Sequence, residues 1–367
     1  MLKTLVLVAD YPNNDGGVAL MYVHVRNKYY TQHGIHVTVL NFKSDKDYEK
    51  DNIKVISYDT YKKSSDNYDV LISHAANLRN HYLFLRKYEK RFDRLVFFFH
   101  GHEVVKLNEI YPKPYDYMKR GGSIKRHLQD VYDTFKLFIW HNYYPKIADK
   151  SDFIFVSQWF CNEAKKYLRL TDADFANHIH IINNSVGKVF EENTYAYSGA
   201  KKYDFITIRS YMDDSKYCVD LVDELAKKYP QYQFLMIGRG RYYEQHNIPA
   251  NMTWVNKFLS HEEIMSYIDQ SRCGLLLTRE DTQGVMTCEL SAYGIPVITS
   301  DIDVCKEICG DLENVAMISN NIDAVDLAGV YEQLLRFGSG IKTKKYSYDN
   351  TVIKEERIIK KVSYRRK

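Results

Sequence analysis

Long apolar runs are missing from this chain of 367 residues. No stretch approaches the roughly 20 apolar residues that span a bilayer. Met1 to Ala9 is apolar for only a few residues before Asp10, too short for the core of a secretory leader. Paired cysteines are missing too: Cys161, Cys218, Cys273, Cys288, Cys305 and Cys309 contain no CxxC spacing, so they read as reduced packing residues rather than a disulfide framework. A strong charge of one sign is absent, because 51 basic side chains against 47 acidic ones leave +4, and charge alone gives little reason to expect nucleic-acid binding. Short internal repeats and low-complexity tracts are absent as well. Together these absences lead us to expect a cytoplasmic protein.

What remains is ordinary for a globular chain, 45% hydrophobic and 27% charged, and the length exceeds what one core usually organises. Short, continuous apolar runs recur between polar helical stretches: Leu2 to Ala9, His36 to Phe42, Tyr68 to Ser73, Arg94 to Phe99 and Asp152 to Ser157. Such runs suit parallel strands buried on both faces, so the fold class is α/β. A second series follows at Asp204 to Ile208, Gln233 to Ile237, Cys273 to Thr278, Pro296 to Ser300 and Val315 to Ser319. Between the series, Gly187 to Lys202 has no clear period and is the linker candidate. The expected division is 1–190, 191–345 and a C-terminal helical piece, 346–367.

One segment carries more chemistry than the rest. A strand ends at Thr278, a polar loop runs Arg279-Glu-Asp-Thr-Gln-Gly284, a helix is expected from about Val285 to Tyr293, Gly294 caps it, and Pro296 starts the next strand. Free N–H groups at that helix start favour an anion such as a diphosphate beyond the strand ends, where open parallel sheets bind ligands. Asp281 and Glu289 are separated by seven residues and can face one ligand. Carboxylates accept from hydroxyls, which points to a sugar and a ribose. The spacing alone leaves open a helix-dipole carboxylate plus a loop cap.

The run resembles the E-x7-E signature of retaining GT-B glycosyltransferases of family 4, the group 1 glycosyl transferases. Ala292-Tyr-Gly-Ile-Pro-Val-Ile298 is similar to their Ala-x-Gly-x-Pro-Val-Ile stretch. The resemblance implies a GT-B fold, two Rossmann-like parallel-sheet domains facing a central cleft. It implies a hexosyltransferase that moves sugar from a nucleoside diphosphate to a hydroxyl in glycan, glycolipid or polysaccharide biosynthesis, with no metal or other cofactor. By that resemblance Asp281 approaches the donor sugar, Glu289 binds the ribose, and the amides of Gly284, Val285 and Met286 hold the diphosphate. The family's first acid is a glutamate; here Glu280 stands next to Asp281, but only Asp281 keeps the spacing. Arg209 and Lys216 resemble the basic pair after the first strand of the second domain, and Gly238-Arg-Gly240 the turn near the nucleobase. Lys257 and Phe258 fall where the family often contacts the base.

In the first domain the resemblance assigns Gly16 and Gly17 to a loop near the donor phosphate. His100, in His100-Gly-His-Glu103, falls in the active-site wall. Asn183 to Val186 is similar to the hinge segment, and the C-terminal helix would cross back onto the first domain, burying Ile353, Ile358 and Ile359. Pro112 to Pro145 mixes lysine and arginine with aromatics, so we expect it to be a solvated basic helix or a contact with an anionic membrane surface or lipid-linked acceptor. The expected partners are a nucleotide-sugar donor and a saccharide or lipid-linked acceptor, and single-strand nucleic acid binding is the weaker reading. Two further functions stay open: an epimerase of nucleotide sugars built on the same fold, and a non-catalytic binding protein.

Overall fold

The computed structural model describes residues 2–15, 19–118, 122–198, 200–257, 259–337 and 340–361. Two compact units emerge, each discontinuous in sequence. The first comprises Met1–Lys106, Val131–Asn183 and Thr351–Lys367; the second comprises Leu107–Asp130 and Asn184–Asn350.

The first unit is built on strands β1 (Lys3–Val8), β2 (His36–Asn41), β3 (Tyr48–Lys50), β4 (Ile53–Ile56), β5 (Val70–His74), β6 (Arg94–Phe99), β7 (Ser151–Phe155) and β8 (Ile179–Ile181). They pair in the order β3-β4-β2-β1-β5-β6-β7-β8, parallel except for the β3–β4 hairpin. The apolar runs become these strands because both faces are covered: β6 is buried along its whole length, and the rings of Phe97 and Phe153 stack at 5.5 Å across β6 and β7. Helix Met21–Gln32 returns the chain from β1 to β2, and Gly34 follows it with φ +82, the left-handed conformation a glycine takes without strain.

Helix Val352–Lys360 belongs to this first unit. Val352, Ile358 and Ile359 are buried, while Ile353 is only half-buried. Its Glu355 carboxylate accepts from Arg26 Nε at 3.1 Å and from the Tyr30 hydroxyl, with all three side chains buried.

The second unit carries β9 (Tyr203–Tyr211), β10 (Phe234–Arg239), β11 (Met252–Val255), β12 (Ser271–Leu276), β13 (Val297–Ser300) and β14 (Val315–Ile318), paired in the order β11-β10-β9-β12-β13-β14. Every pairing is parallel. The order reverses between β9 and β12, and a topological switch point of this kind opens a crevice beyond the carboxyl ends of those two strands. Helix Val285–Tyr293 packs so closely on the sheet that a Cβ on Gly274 would meet Leu290 Cδ1 at 2.6 Å. The linker candidate is not featureless: Lys188–Glu192 is a short helix with Phe190 in the core. Within 112–145 the described residues form one short 3-10 turn, Asp116–Met118, and helix Gly122–Ile147, which keeps Pro145 in its last turn.

Candidate functional site

Arg209 stands near the carboxyl end of β9, and the 277–284 loop leaves the neighbouring β12, so the switch point brings them side by side. The Arg209 guanidinium donates through Nη2 to Leu277 O at 2.6 Å, while its buried Nε has no hydrogen-bond partner. An unmatched buried N–H on a cation is costly and invites an acceptor. Lys216 follows in a turn tied to the same loop, since Arg279 N donates to Lys216 O at 2.7 Å. The ring of Tyr217 takes both cations: Arg209 lies 5.0 Å and Lys216 4.8 Å from its centre.

Burial pulls the Arg209 pKa down, offset in part by Tyr217 and Asp281. For Lys216 burial also works against the charge, but Tyr217, Asp214 and Asp281 outweigh it, and its pKa ends above the ordinary value. Asp281 is therefore near enough for its charge to be felt at both cations. Its Oδ1 caps the loop, accepting from Thr282 N at 2.7 Å and Gln283 N at 3.3 Å. Glu280 points its Oε1 at the Asp281 N–H, 3.2 Å away. Asp281 is thus coupled to both Arg209 and Lys216.

Gly284 begins the helix at φ +73, and a Cβ there would meet nothing nearer than 3.7 Å. Val285 and Met286 follow in the first turn, with Val285 exposed. Glu289 sits one turn further in, buried, with Gly187 N–H 3.4 Å from its Oε1. Burial pushes its carboxyl up to about 7. A carboxylate so poorly supplied with donors is suited to accept from ligand hydroxyls. Gln283 fixes the loop from behind, its amide exchanging hydrogen bonds with the Asn184 backbone at 2.6 and 2.9 Å.

Gly238 follows at the end of β10, where a Cβ would fall 2.4 Å from Arg209 O, so this turn needs glycine to let the two strand ends approach. Lys257 is exposed just beyond β11, and Phe258 lies outside the described residues.

Several participants carry no motif. Asp213 accepts from Arg241 N at 2.9 Å and from the Tyr117 hydroxyl at 2.8 Å. Asp220 holds Arg279 in a two-point ion pair, at 2.9 and 2.5 Å, and accepts from Tyr115 at 2.8 Å. Tyr111 sets its ring 5.0 Å from the Lys216 ammonium. The 107–118 stretch, itself part of the second unit, therefore packs around the basic pair. The sequence signal for it was the excess length between two strands, without any indication of where it lands.

In the first unit, Gly16 and Gly17 lie outside the described residues. His100 follows β6, its Nε2 at 3.1 Å from His74 Nδ1, with the Tyr22 ring edge-on at 4.7 Å. Burial, then Arg26, drives the His100 pKa well down, so the ring is neutral at neutral pH. Glu103 accepts from the backbone N–H groups of His100 and Gly101 at 2.9 and 2.6 Å, shaping the turn. Among the described residues no cluster of three His, Cys, Asp or Glu side chains is placed to hold a metal ion.

Residues 202–348 match the family model for glycosyl transferases group 1. No curated protein matches the chain significantly. Solved structures match it over nearly its whole length. Sucrose-phosphate synthase from Thermosynechococcus elongatus is 12% identical with a TM-score of 0.69, covering all of both chains. A glycosyltransferase from Rickettsia africae is 14% identical at 0.64, covering 99% of this chain and 98% of that one. The catalytic domain of starch synthase IV from Arabidopsis thaliana, bound to ADP and acarbose, is 10% identical at 0.61, covering 99% of each. At such identities the likeness is one of fold. The two Rossmann-like units give this chain the GT-B fold, residues 202–348 are similar to the glycosyl transferases group 1 family, and the two findings together support glycosyltransferase activity.

Proposed function

We propose that the chain is a retaining glycosyltransferase that moves a hexose-type sugar from a nucleoside-diphosphate sugar to a hydroxyl of a saccharide or lipid-linked acceptor. The observation that carries this reading is the convergence of Arg209 and Lys216 on one tyrosine ring and one carboxylate, beside a helix start opened by a left-handed glycine. Two cations and free amides are what a departing diphosphate needs.

In this reading the diphosphate rests on Arg209, Lys216 and the amides of Gly284, Val285 and Met286. Glu289 takes the ribose hydroxyls, Asp281 rather than Glu280 addresses the sugar, and Gly238 lets the base approach the sheet. The residues act by holding the donor and neutralising charge as the sugar–phosphate bond breaks, so no protein nucleophile or metal is assigned a step. His100, neutral, serves the acceptor side. Contacts that strengthen as the leaving charge develops favour the transition state over the bound donor.

The test is a thermal-shift screen against nucleoside diphosphates and their sugars, followed by turnover with the stabilising donor. A ligand present at a hundredfold over its Kd adds about 2.7 kcal/mol of stability. A shift that survives both Arg209→Ala and Lys216→Ala refutes this placement of the site. Conversion of the donor in the absence of any acceptor, beyond slow hydrolysis, would assign the chain to epimerase chemistry instead.

A further inference from the structure

Helix Gly122–Ile147 is apolar on two faces. One face is buried: Leu137, Trp140, Tyr144 and Ile147 enter the core of the first unit, and Asp133 is neutralised there by Lys136 at 2.7 Å. The opposite face carries Ile124, Leu128, Val131, Phe135 and Phe138, all between 54% and 73% exposed. Their steps of four and three residues stack them in one stripe about 20 Å long. A helix anchored by one face has no folding reason to keep a second apolar face in water, and a patch of this kind marks an interaction surface.

The charge around the stripe identifies its partner. The helix's exposed charges, Lys125, Arg126 and Lys146, are positive, whereas Asp133 is buried and Asp130 is engaged by Asn108 at 2.8 Å. The 78–91 segment adjoins the helix where its buried face ends, with the Tyr82 ring 5.6 Å from buried Trp140 and 5.3 Å from half-buried Tyr143. That segment exposes Leu83 among Arg79, Arg86, Lys87 and Lys90, while its acid, Glu89, is half-buried against Lys150. A second copy docked on this face about a twofold axis would oppose like charges. An anionic bilayer offers the complementary sign, with acyl chains to receive the phenylalanines.

We propose that the outward face of helix Gly122–Ile147, together with the basic 78–91 segment that packs on the same helix, lies in the plane of an anionic lipid surface, with Val131, Phe135 and Phe138 entering the headgroup boundary. No described helix is long and apolar enough to cross a membrane, so the contact is peripheral. It narrows the broad expectation for residues 112–145, since Tyr111, Tyr115 and Tyr117 are spent on the second unit.

The experiment is flotation of the full chain with vesicles of phosphatidylglycerol mixed equally with phosphatidylcholine, against pure phosphatidylcholine, at low and high salt. Wild type is expected to float with the anionic vesicles only, less so at high salt. F135S/F138S and R86E/K87E should each weaken binding by about tenfold or more while leaving the melting midpoint and the nucleotide-induced shift in place. Absence of flotation, or flotation indifferent to both double variants, overturns the proposal. So does a concentration-dependent doubling of mass that F135S/F138S abolishes, which would make the face a self-association surface. The inference stands apart from the donor site: a nucleotide shift without flotation sinks only the membrane contact, and flotation without any nucleotide shift sinks only the donor reading.

Discussion

The Lys216 ammonium lies 5.0 Å from the centre of the Tyr111 ring, a contact between a residue of the second unit's first strand–helix turn and one contributed from more than a hundred positions earlier. Lys216 is thereby held between two tyrosine faces with little freedom to swing. On the proposed reading, Lys216→Ala lowers kcat/KM by about a hundredfold or more, the range for losing a charge aimed at a leaving group. Tyr111→Leu removes only a cation–π contact of about 0.5–1 kcal/mol and should raise the donor KM by roughly two- to fivefold with kcat nearly kept. Steady-state kinetics on the two variants check both.

Glu289 makes a pH prediction with a definite sign. Its carboxyl titrates near 4.5 when unburied and near 7 in the folded chain, so the native state holds this proton more tightly than the unfolded one. The stability tied to that proton is complete below about 4.5 and lost as pH rises through about 7, a change of roughly 3 kcal/mol at most. Urea unfolding across the span from about pH 4.5 to 7 should show wild type losing more stability with rising pH than Glu289→Gln. Donor affinity should move the other way, strengthening as the carboxylate forms, and titration calorimetry of Glu289→Gln should lack that rise.

The neighbouring acids should separate cleanly. Asp281→Asn keeps a capping oxygen for Thr282 and Gln283 but removes the charge sensed by Arg209 and Lys216, so the fold should persist while turnover falls by tenfold or more. Glu280→Gln should leave turnover within about twofold. Comparable losses in both variants would contradict the assignment of the sugar contact to Asp281.

Two glycines should fail for different reasons. At Gly284 an alanine has room but must hold φ +73, costing about 1–2 kcal/mol of stability. At Gly238 the added carbon meets Arg209 O at 2.4 Å and must push the strand end that carries the guanidinium. Gly238→Ala should therefore weaken donor binding far more than Gly284→Ala for a similar fall in melting temperature. Paired melting and binding measurements would show the difference.

The parallel cores were legible because strands covered on both faces leave unbroken apolar runs, as in Arg94–Phe99 and Phe234–Arg239. The β3–β4 hairpin left no such trace: Tyr48–Lys50 is short, polar and at the sheet edge. Helix Gly122–Ile147 hid its pattern because apolar residues on two faces blur a single-stripe period. In the site, Arg209, Lys216, Asp281 and Glu289 could be nominated because strand ends and a helix start constrain them locally. Tyr115 and Tyr117 could not, since their partners Asp220 and Asp213 lie 105 and 96 positions away and nothing local encodes the meeting.

The buried pair of Arg26 and Glu355 has a consequence for biosynthesis. A ribosome delivers Arg26 early, yet the acid that neutralises it arrives only after the entire second unit has been translated. Until then the nascent first unit must keep a cation in water or in a half-made core, because enclosing it alone is prohibitive. Closing that core around Arg26 therefore requires helix Val352–Lys360, which the chain supplies only after residues 184–350 of the second unit.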